Sequence, residues 1–301
     1  MQATQKQGRF VTLAGFLAMV LVWGSFPVAV KIGVEHAPPL LLSAIRFLLA
    51  FVVMVGVTFF QRKRLRLPWR HHLQVFVIST LMVGIPGSIF FAAAPYAPVS
   101  VLTVMWSMAP IFTALFTARE SGEVRGWRLI ISLGIGLLGV LIVLLGRLPF
   151  LPGSALFSGG GPALAGELAV LASSVIYGLG IRAAKHGNPE MPVVVLTTWQ
   201  LFYSGVFLLA MSLIFEHSQG LPFDPVTIGA LLYLVIFCSC ITFLLTFWLI
   251  RRIGAIRTAY ADFITPGVTL ILSYFLLSED LALAKIAGLA LVILGVVLVE
   301  I

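Results

Sequence analysis

Residues 109–143 read APIFTALFTARESGEVRGWRLIISLGIGLLGVLIV, and residues 265–299 read TPGVTLILSYFLLSEDLALAKIAGLALVILGVVLV. At a shift of 156 residues, nine of the 34 positions from 110 to 143 are identical. Matches of Leu, Ile and Val count for little, because apolar helices share such residues by chance. Pro110 on Pro266, Glu123 on Glu279 and Gly139 on Gly295 keep one order at one shift, and Thr113 falls on Thr269. A shift of 154 extends the match towards the N-terminus. There Trp23-Gly24 falls on Tyr177-Gly178, Lys31 on Lys185, Pro38 on Pro192 and Leu42 on Leu196, while Arg46 falls on Gln200. The chain therefore carries an internal repeat of half its length.

Composition says what is repeated. The 301 residues are 60% apolar and 10% charged, against roughly 25% charged in an average soluble chain. Mean hydropathy is +1.10. That leaves too little polar surface to cover a water-soluble globule. It also excludes a disordered chain, a collagen and a disulfide scaffold. Apolar runs between turn signals predict ten membrane-spanning helices, at 10–32, 39–60, 73–94, 98–118, 128–146, 163–184, 192–214, 226–249, 255–277 and 282–300. The links are short except 147–162, which is rich in Gly and Pro and is expected to be a non-cytoplasmic linker. The repeats 1–146 and 163–301 then hold five spans each. Five is odd, so the second copy is expected to sit upside down relative to the first. The fold class expected is an all-α membrane protein of two inverted five-helix repeats. Such repeats place a binding site near the bilayer midplane at their interface, with two near-equivalent packings that alternate access.

The net charge of +8 is not distributed as a nucleic-acid surface would be. Its densest run, Gln61–His72 (QRKRLRLPWRHH), lies between two apolar segments, where positive-inside sorting and anionic lipid place basic loops. With the N-terminus in the cytoplasm, that side holds fifteen Lys and Arg residues and the far side three, Lys31, Arg147 and Lys285. Both termini are therefore expected to be cytoplasmic. Phe10–Val30 is longer than a signal-peptide core and no small-residue cleavage site follows, so it is expected to be the first span.

Few residues offer chemistry of their own. Cys238 and Cys240 sit in an apolar run without the partners of a zinc or redox site and read as small buried residues. All five histidines fall in predicted loops. No P-loop, H-E-x-x-H or G-x-S-x-G sequence is present. Gly134-Ile-Gly136-Leu-Leu-Gly139 matches G-x-G-x-x-G, but it lies inside an apolar run and reads as a helix-packing face. The chain is not expected to be an enzyme. No catalytic residue, metal site, cofactor, nucleic acid or obligatory protein partner is expected. The expected partners are a small-molecule substrate and the bilayer of a bacterial-type inner membrane.

An ionisable residue in a span is costly and marks function or pairing. Asp262 lies about 10 Å into the ninth span at 1.5 Å per residue, on a polar stripe with Thr258, Thr265 and Thr269. It meets a substrate amino group, carries a coupling proton, or pairs with Arg252 or Arg257 at the cytoplasmic mouth. Trp106 holds the pseudo-symmetric position in the fourth span, on one face with Thr103, Pro110 and Thr113. Trp23, Tyr177 and Tyr260 add rings in or near the spans expected to line the cavity, and rings there suit apolar or aromatic cargo. Aromatics also gather at membrane interfaces for structural reasons. The substrate-binding set expected is Trp106, Tyr177, Trp23, Tyr260, Asp262 and Thr103. Pro110, Pro266, Gly84 and Pro86 interrupt helices and are expected to act as hinges. Arg46, inside the second span, attracts a carboxylate or ties helix ends together. Glu123 and Glu279 follow their helices in turns and are expected to cap the start of the next span.

Trp23-Gly24-Ser25 with Lys31, Pro39 with Arg46 and Phe47, Ala109-Pro110 with Glu123 and Gly139, and Thr265-Pro266 with Glu279 and Gly295 resemble the repeat of EamA-type transporters. The resemblance covers nearly the whole chain. It implies the drug/metabolite transporter superfamily, a ten-helix, five-plus-five inverted fold, and a scaffold role for Arg46. The branch it is most similar to is that of the YddG-type exporters of aromatic and other neutral amino acids. Gln200, where the first copy has Arg46, departs from the repeat pattern. The intramembrane Lys/Arg pairs of relatives that carry phosphorylated sugars are missing. The function expected is export of small neutral metabolites, foremost amino acids with aromatic or other apolar side chains. The alternatives are export of hydrophobic drugs or nucleosides, and an intramembrane lipid-modifying enzyme, for which no paired nucleophile set is found within the spans.

Overall fold

The computed structural model describes residues 2–63, 65–121, 126–145, 160–185, 193–216, 220–222, 224–253 and 261–300. Among them every regular element is a helix. α1 (Gln2–Val34) and α2 (Pro39–Phe60) are followed by α3 (Trp69–Ser79), which runs through a π-helical turn at Thr80–Gly84 into α4 (Ile85–Ala93). α5 (Val99–Trp106), α6 (Ala109–Ser121), α7 (Gly126–Leu145), α8 (Gly160–Lys185) and α9 (Val193–Phe215) come next. α10 (Pro225–Tyr233) continues through a second π segment, Leu234–Ile241, into α11 (Thr242–Ile253), before α12 (Ala261–Leu277) and α13 (Leu283–Glu300).

Seven helical runs among the described residues are long and apolar enough to cross a bilayer. They are Phe10–Val34, Pro39–Phe60, Trp69–Ala93, Val99–Phe116, Gly161–Ala184, Val194–Phe215 and Pro225–Thr246. Three shorter apolar helices, Ile130–Val143, Ile264–Leu277 and Leu283–Leu298, stand where the fifth, ninth and tenth spans are expected. Phe10, Val52, Phe60, Ile130, Leu213 and Phe275 are all exposed on the outside. An exterior of that kind suits lipid, not water.

The two π segments open at Thr80 and Leu234, 154 residues apart. Pro86 accounts for the first. It has no N–H for the carbonyl four residues back, and the turn widens so that the Ile85 N–H reaches Thr80 O. The second contains no proline. There Ser239 Oγ donates to Leu234 O at 3.0 Å and Thr242 Oγ1 to Phe237 O at 2.7 Å. Each hydroxyl bonds the carbonyl five residues back, and Phe237 O also takes the Thr242 backbone N–H.

The paired prolines behave differently. Pro110 interrupts the fourth span: α5 ends at Trp106, Ser107 and Met108 form a turn, and α6 restarts at Ala109. α12 runs through Pro266 unbroken. Thr265 Oγ1 donates to Ala261 O at 2.8 Å, and Thr269 Oγ1 donates to Gly24 O of α1 at 2.8 Å. Those bonds and the packing against α1 hold the stretch that the missing N–H weakens.

α7 lies along α13, α2 along α9 and α1 along α12, while α8 packs on α4, α5 and α6. α1 also packs on α10 and α11. Lipid gives helices no hydrophobic reason to associate, so close backbone approach and interhelical hydrogen bonds carry the contact. A Cβ on Gly24 of α1 would come within 2.5 Å of Val268 on α12. One on Gly178 of α8 would come within 3.0 Å of the Thr113 backbone on α6. Gly139 and Gly288 bring α7 and α13 so near that a Cβ on either falls within 2.6 Å of the other's carbonyl oxygen. Thr58 and Thr198 meet across α2 and α9 at 3.2 Å.

Candidate substrate site

Trp106 ends α5, and the break that follows leaves its ring beside Tyr177 of α8. The ring centroids are 5.2 Å apart and the planes cross at 64°, an edge-to-face pair. Trp106 packs against a buried core drawn from both halves of the chain, including Leu42, Phe91, Met105, Leu208 and Leu234. The structure thus brings two of the expected substrate-binding residues into contact. Thr103, one turn earlier, is buried and donates its hydroxyl hydrogen to Val99 O at 2.7 Å, within its own helix. Trp23 packs on a separate small cluster of Met19, Val20, Leu249 and Ala261, and its ring meets Phe26 at 6.2 Å. Tyr260 and Glu123 lie outside the described residues, and for Asp262 only the position in α12 is described.

Arg46 sits at a second focus. It is 4% exposed. Its guanidinium carbon lies 4.7 Å from the Phe26 ring, 4.6 Å from Phe47 and 5.9 Å from Phe91. Nε donates to Ser239 Oγ at 3.0 Å, and Ser239 in turn donates to Leu234 O. The arginine therefore ties α2 to the second π segment in the middle of a span, not to a helix end. Phe26 links this focus to Trp23 and stacks on Phe90 at 5.9 Å.

Glu279 does not cap the span that follows it. Its Oε1 accepts from Val99 N at 2.7 Å, and its Oε2 accepts from Ser100 N at 3.1 Å and from the Ser100 hydroxyl. It closes the start of α5, in the other half of the chain. The next helix lies against a different neighbour, so the carboxylate reaches the open N–H groups that its turn faces. Glu216 does the same for α2, accepting from Leu40 N at 2.7 Å and Leu41 N at 2.8 Å. Neither partner is close in sequence, so no local signal pointed to either cap. Lys31 serves an opposite end. Its Nζ donates to Ala94 O at 2.8 Å and Pro95 O at 3.1 Å, the carbonyls just beyond α4.

Two further corrections concern ionisable groups. α3 begins at Trp69, after the extended Pro68, so His71 and His72 stand in a helix and not a loop. His72 Nδ1 lies 2.7 Å from the Tyr203 hydroxyl, and Trp199 Nε1 donates to Leu65 O at 3.0 Å, which pins the basic loop to α9. Glu167 of α8 is a second intramembrane carboxylate, 1% exposed. A charge four residues into an apolar run was the available signal. An apolar groove of about 570 Å³ lies between α1 and α11, lined by Val11, Ala14, Ala18, Leu244, Leu245 and Trp248 among others. None of the expected site residues lines it.

A family model described as the EamA-like transporter family matches residues 11–145 and 164–301. The uncharacterized transporter YoaV of Bacillus subtilis (strain 168) is 26% identical over 285 residues, covering 94% of each chain. The uncharacterized inner membrane transporter YedA of Escherichia coli (strain K12) is 26% identical over 289 residues, covering 94% of this chain and 88% of its own. A probable amino-acid metabolite efflux pump of Salmonella typhimurium (strain LT2) is 26% identical over 291 residues, covering 93% of this chain and 92% of its own. One solved crystal structure shares the fold, with a TM-score of 0.64 at 22% identity over 96% of both chains.

Proposed function

The chain belongs to the EamA-like transporter family and is a multi-pass inner-membrane transporter, and from that premise we propose that it exports small neutral metabolites, foremost amino acids with aromatic or other apolar side chains. The observation that carries this reading is the Trp106–Tyr177 pair beside the interruption of the fourth span. Two rings at a helix break can part and close on an apolar side chain while the flanking helices stay intact. The efflux-pump relative adds support for an amino-acid cargo.

Transport runs by alternating access between two inverted five-helix repeats, 1–146 and 163–301, joined by a non-cytoplasmic linker at 147–162, with both termini cytoplasmic. Three observations support that architecture. The family match falls in two stretches. The π segments recur at the shift of the sequence repeat. The pairing of α1 with α12 has its counterpart in that of α8 with α5 and α6. In this scheme Trp106 and Tyr177 pack the cargo side chain, Thr103 backs them from the preceding turn of α5, and Trp23 and Tyr260 stand farther along the path. Asp262 meets the amino group or gates the cytoplasmic mouth. Pro110, Gly84 and Pro86 give the helices freedom to bend, while the stretch around Pro266 is held against α1, and Glu123 and Glu279 fix helix starts.

Flux in proteoliposomes containing only this protein tests the reading. Labelled phenylalanine and threonine should move, lysine and glutamate should not, and W106A should slow the flux about tenfold or more, a loss of ~1.4 kcal/mol. Movement of dyes or nucleosides with no amino-acid flux would keep the fold and overturn the cargo. Running the assay with and without a pH gradient decides whether Asp262 has a proton to carry.

A further inference from the structure

We propose that Arg46 is a carboxylate receptor: its terminal guanidinium nitrogens bind the carboxylate group of the transported molecule. This deepens the amino-acid reading and rests on it for the identity of the cargo.

The geometry leaves the arginine half used. Phe26, Phe47 and Phe91, from α1, α2 and α4, lie around its guanidinium at 4.6–5.9 Å. Ser239 Oγ, from the second π segment, takes the Nε hydrogen at 3.0 Å. Among the described residues nothing accepts from Nη1 or Nη2, and no carboxylate oxygen lies within the 4.0 Å of an ion pair. The side chain is 4% exposed, so these N–H groups are held inside the bundle and not at a lipid headgroup. A buried cation normally has a counter-charge, and its donors normally have acceptors. Here the protein supplies aromatic faces and one hydroxyl, and the fork of parallel donors that fits a carboxylate is left open.

Position agrees with chemistry. The groups around Arg46 come from four elements in both halves of the chain, at the interface where the repeat architecture places a cargo. The repeat puts Gln200, not a second arginine, at the equivalent position of α9. The site therefore holds one fixed positive charge, which matches one carboxylate. A purely structural tie would be complete with Nε on Ser239 and the three rings beside the guanidinium.

The test compares ligands that share a phenyl ring and carry or lack the acid and the amine. Thermal unfolding of the detergent-purified wild type is followed with phenylalanine, 3-phenylpropionate, phenylalaninamide and phenethylamine. The two carboxylates should raise the transition temperature, and the amide and amine should need at least tenfold higher concentration for an equal rise. The same four compounds compete against labelled phenylalanine in proteoliposomes. R46K keeps a charge but loses the fork and should abolish the preference for carboxylates while unfolding cooperatively. If amide and amine act as strongly as the acids on the wild type, the proposal is overturned, whatever the variant does. Wild-type phenylalanine flux without acid preference would sink the receptor and keep the exporter. Acid-dependent stabilisation without amino-acid flux would keep the receptor and sink the exporter.

Discussion

Single side chains close helix ends in this protein across long distances in sequence. A carboxylate at a helix start answers the unpaired N–H groups and the positive end of the helix dipole. Glu279 does so for α5 and Glu216 for α2, each from the other half of the chain. Asp224 is the local version. Its Oδ2 accepts from the Thr227 hydroxyl at 2.6 Å and its Oδ1 from Thr227 N and Val226 N at 3.0 Å. The Thr227 hydroxyl first, then the Thr227 N–H, hold its carboxyl below the ordinary value of 3.8. A depressed folded pKa stabilises the protein above the unfolded pKa, and that contribution disappears as pH falls through the folded value. D224A should therefore melt below wild type at neutral pH, and the two melting curves should converge as pH drops under 3.8. Curves that stay apart at lower pH would show that the cap does not act through ionisation.

At the scale of elements, the helices divide into those that pack by backbone approach and those that are locally widened or broken. α7 and α13 belong to the first kind. Gly139 and Gly288 face each other with no room for a side chain, whereas Gly134 has nothing within 4 Å. G288V should cost about 1–3 kcal/mol, the usual penalty of overpacking, read as a lower thermal transition in detergent. G134V should leave the transition unchanged. The third, fourth and eighth spans are of the second kind. A π turn or a proline break marks each of them, and at the eighth span Ser239, whose hydroxyl bonds Leu234 O within the π segment, also receives Arg46. The irregular turn and the buried cation are therefore one structural unit.

For the whole molecule, the core is shared between halves. Leu42 and Met54 of α2 are buried in one cluster with Leu201 and Leu208 of α9. The two halves bury these apolar faces against each other. The proposed arrangement, inverted halves with cytoplasmic termini, makes a directional prediction. In a cysteine-substituted series on intact cells, Thr4→Cys and Arg66→Cys should react only when the cytoplasmic side is opened, and His36→Cys and Asp280→Cys should react from outside. Labelling of Arg66→Cys and His36→Cys from one side would overturn the orientation.

Membrane class, the positions of the long spans, the repeat and the family resemblance were legible in the residues themselves. Composition and apolar run length act locally along the chain, and a fixed shift between two stretches needs no coordinates to be seen. The same holds for the irregular turns at Pro86 and Pro110, which announce a lost N–H, but not for the second π segment, which has no proline, nor for α12, which runs unbroken through Pro266. The partners of charged groups were not legible. Glu279 was expected to serve the helix after it, yet it serves α5, 179 residues away at Ser100. His71 and His72 end a basic run that reads as a loop yet stand in α3, Glu167 carries no local sign of its burial, and Ser239 gives no hint that Arg46 reaches it. A carboxylate or guanidinium binds whichever opposite group packing brings within about 3 Å. Which helix lies alongside which is decided by the sum of many close backbone contacts, and that sum exists only in the tertiary structure.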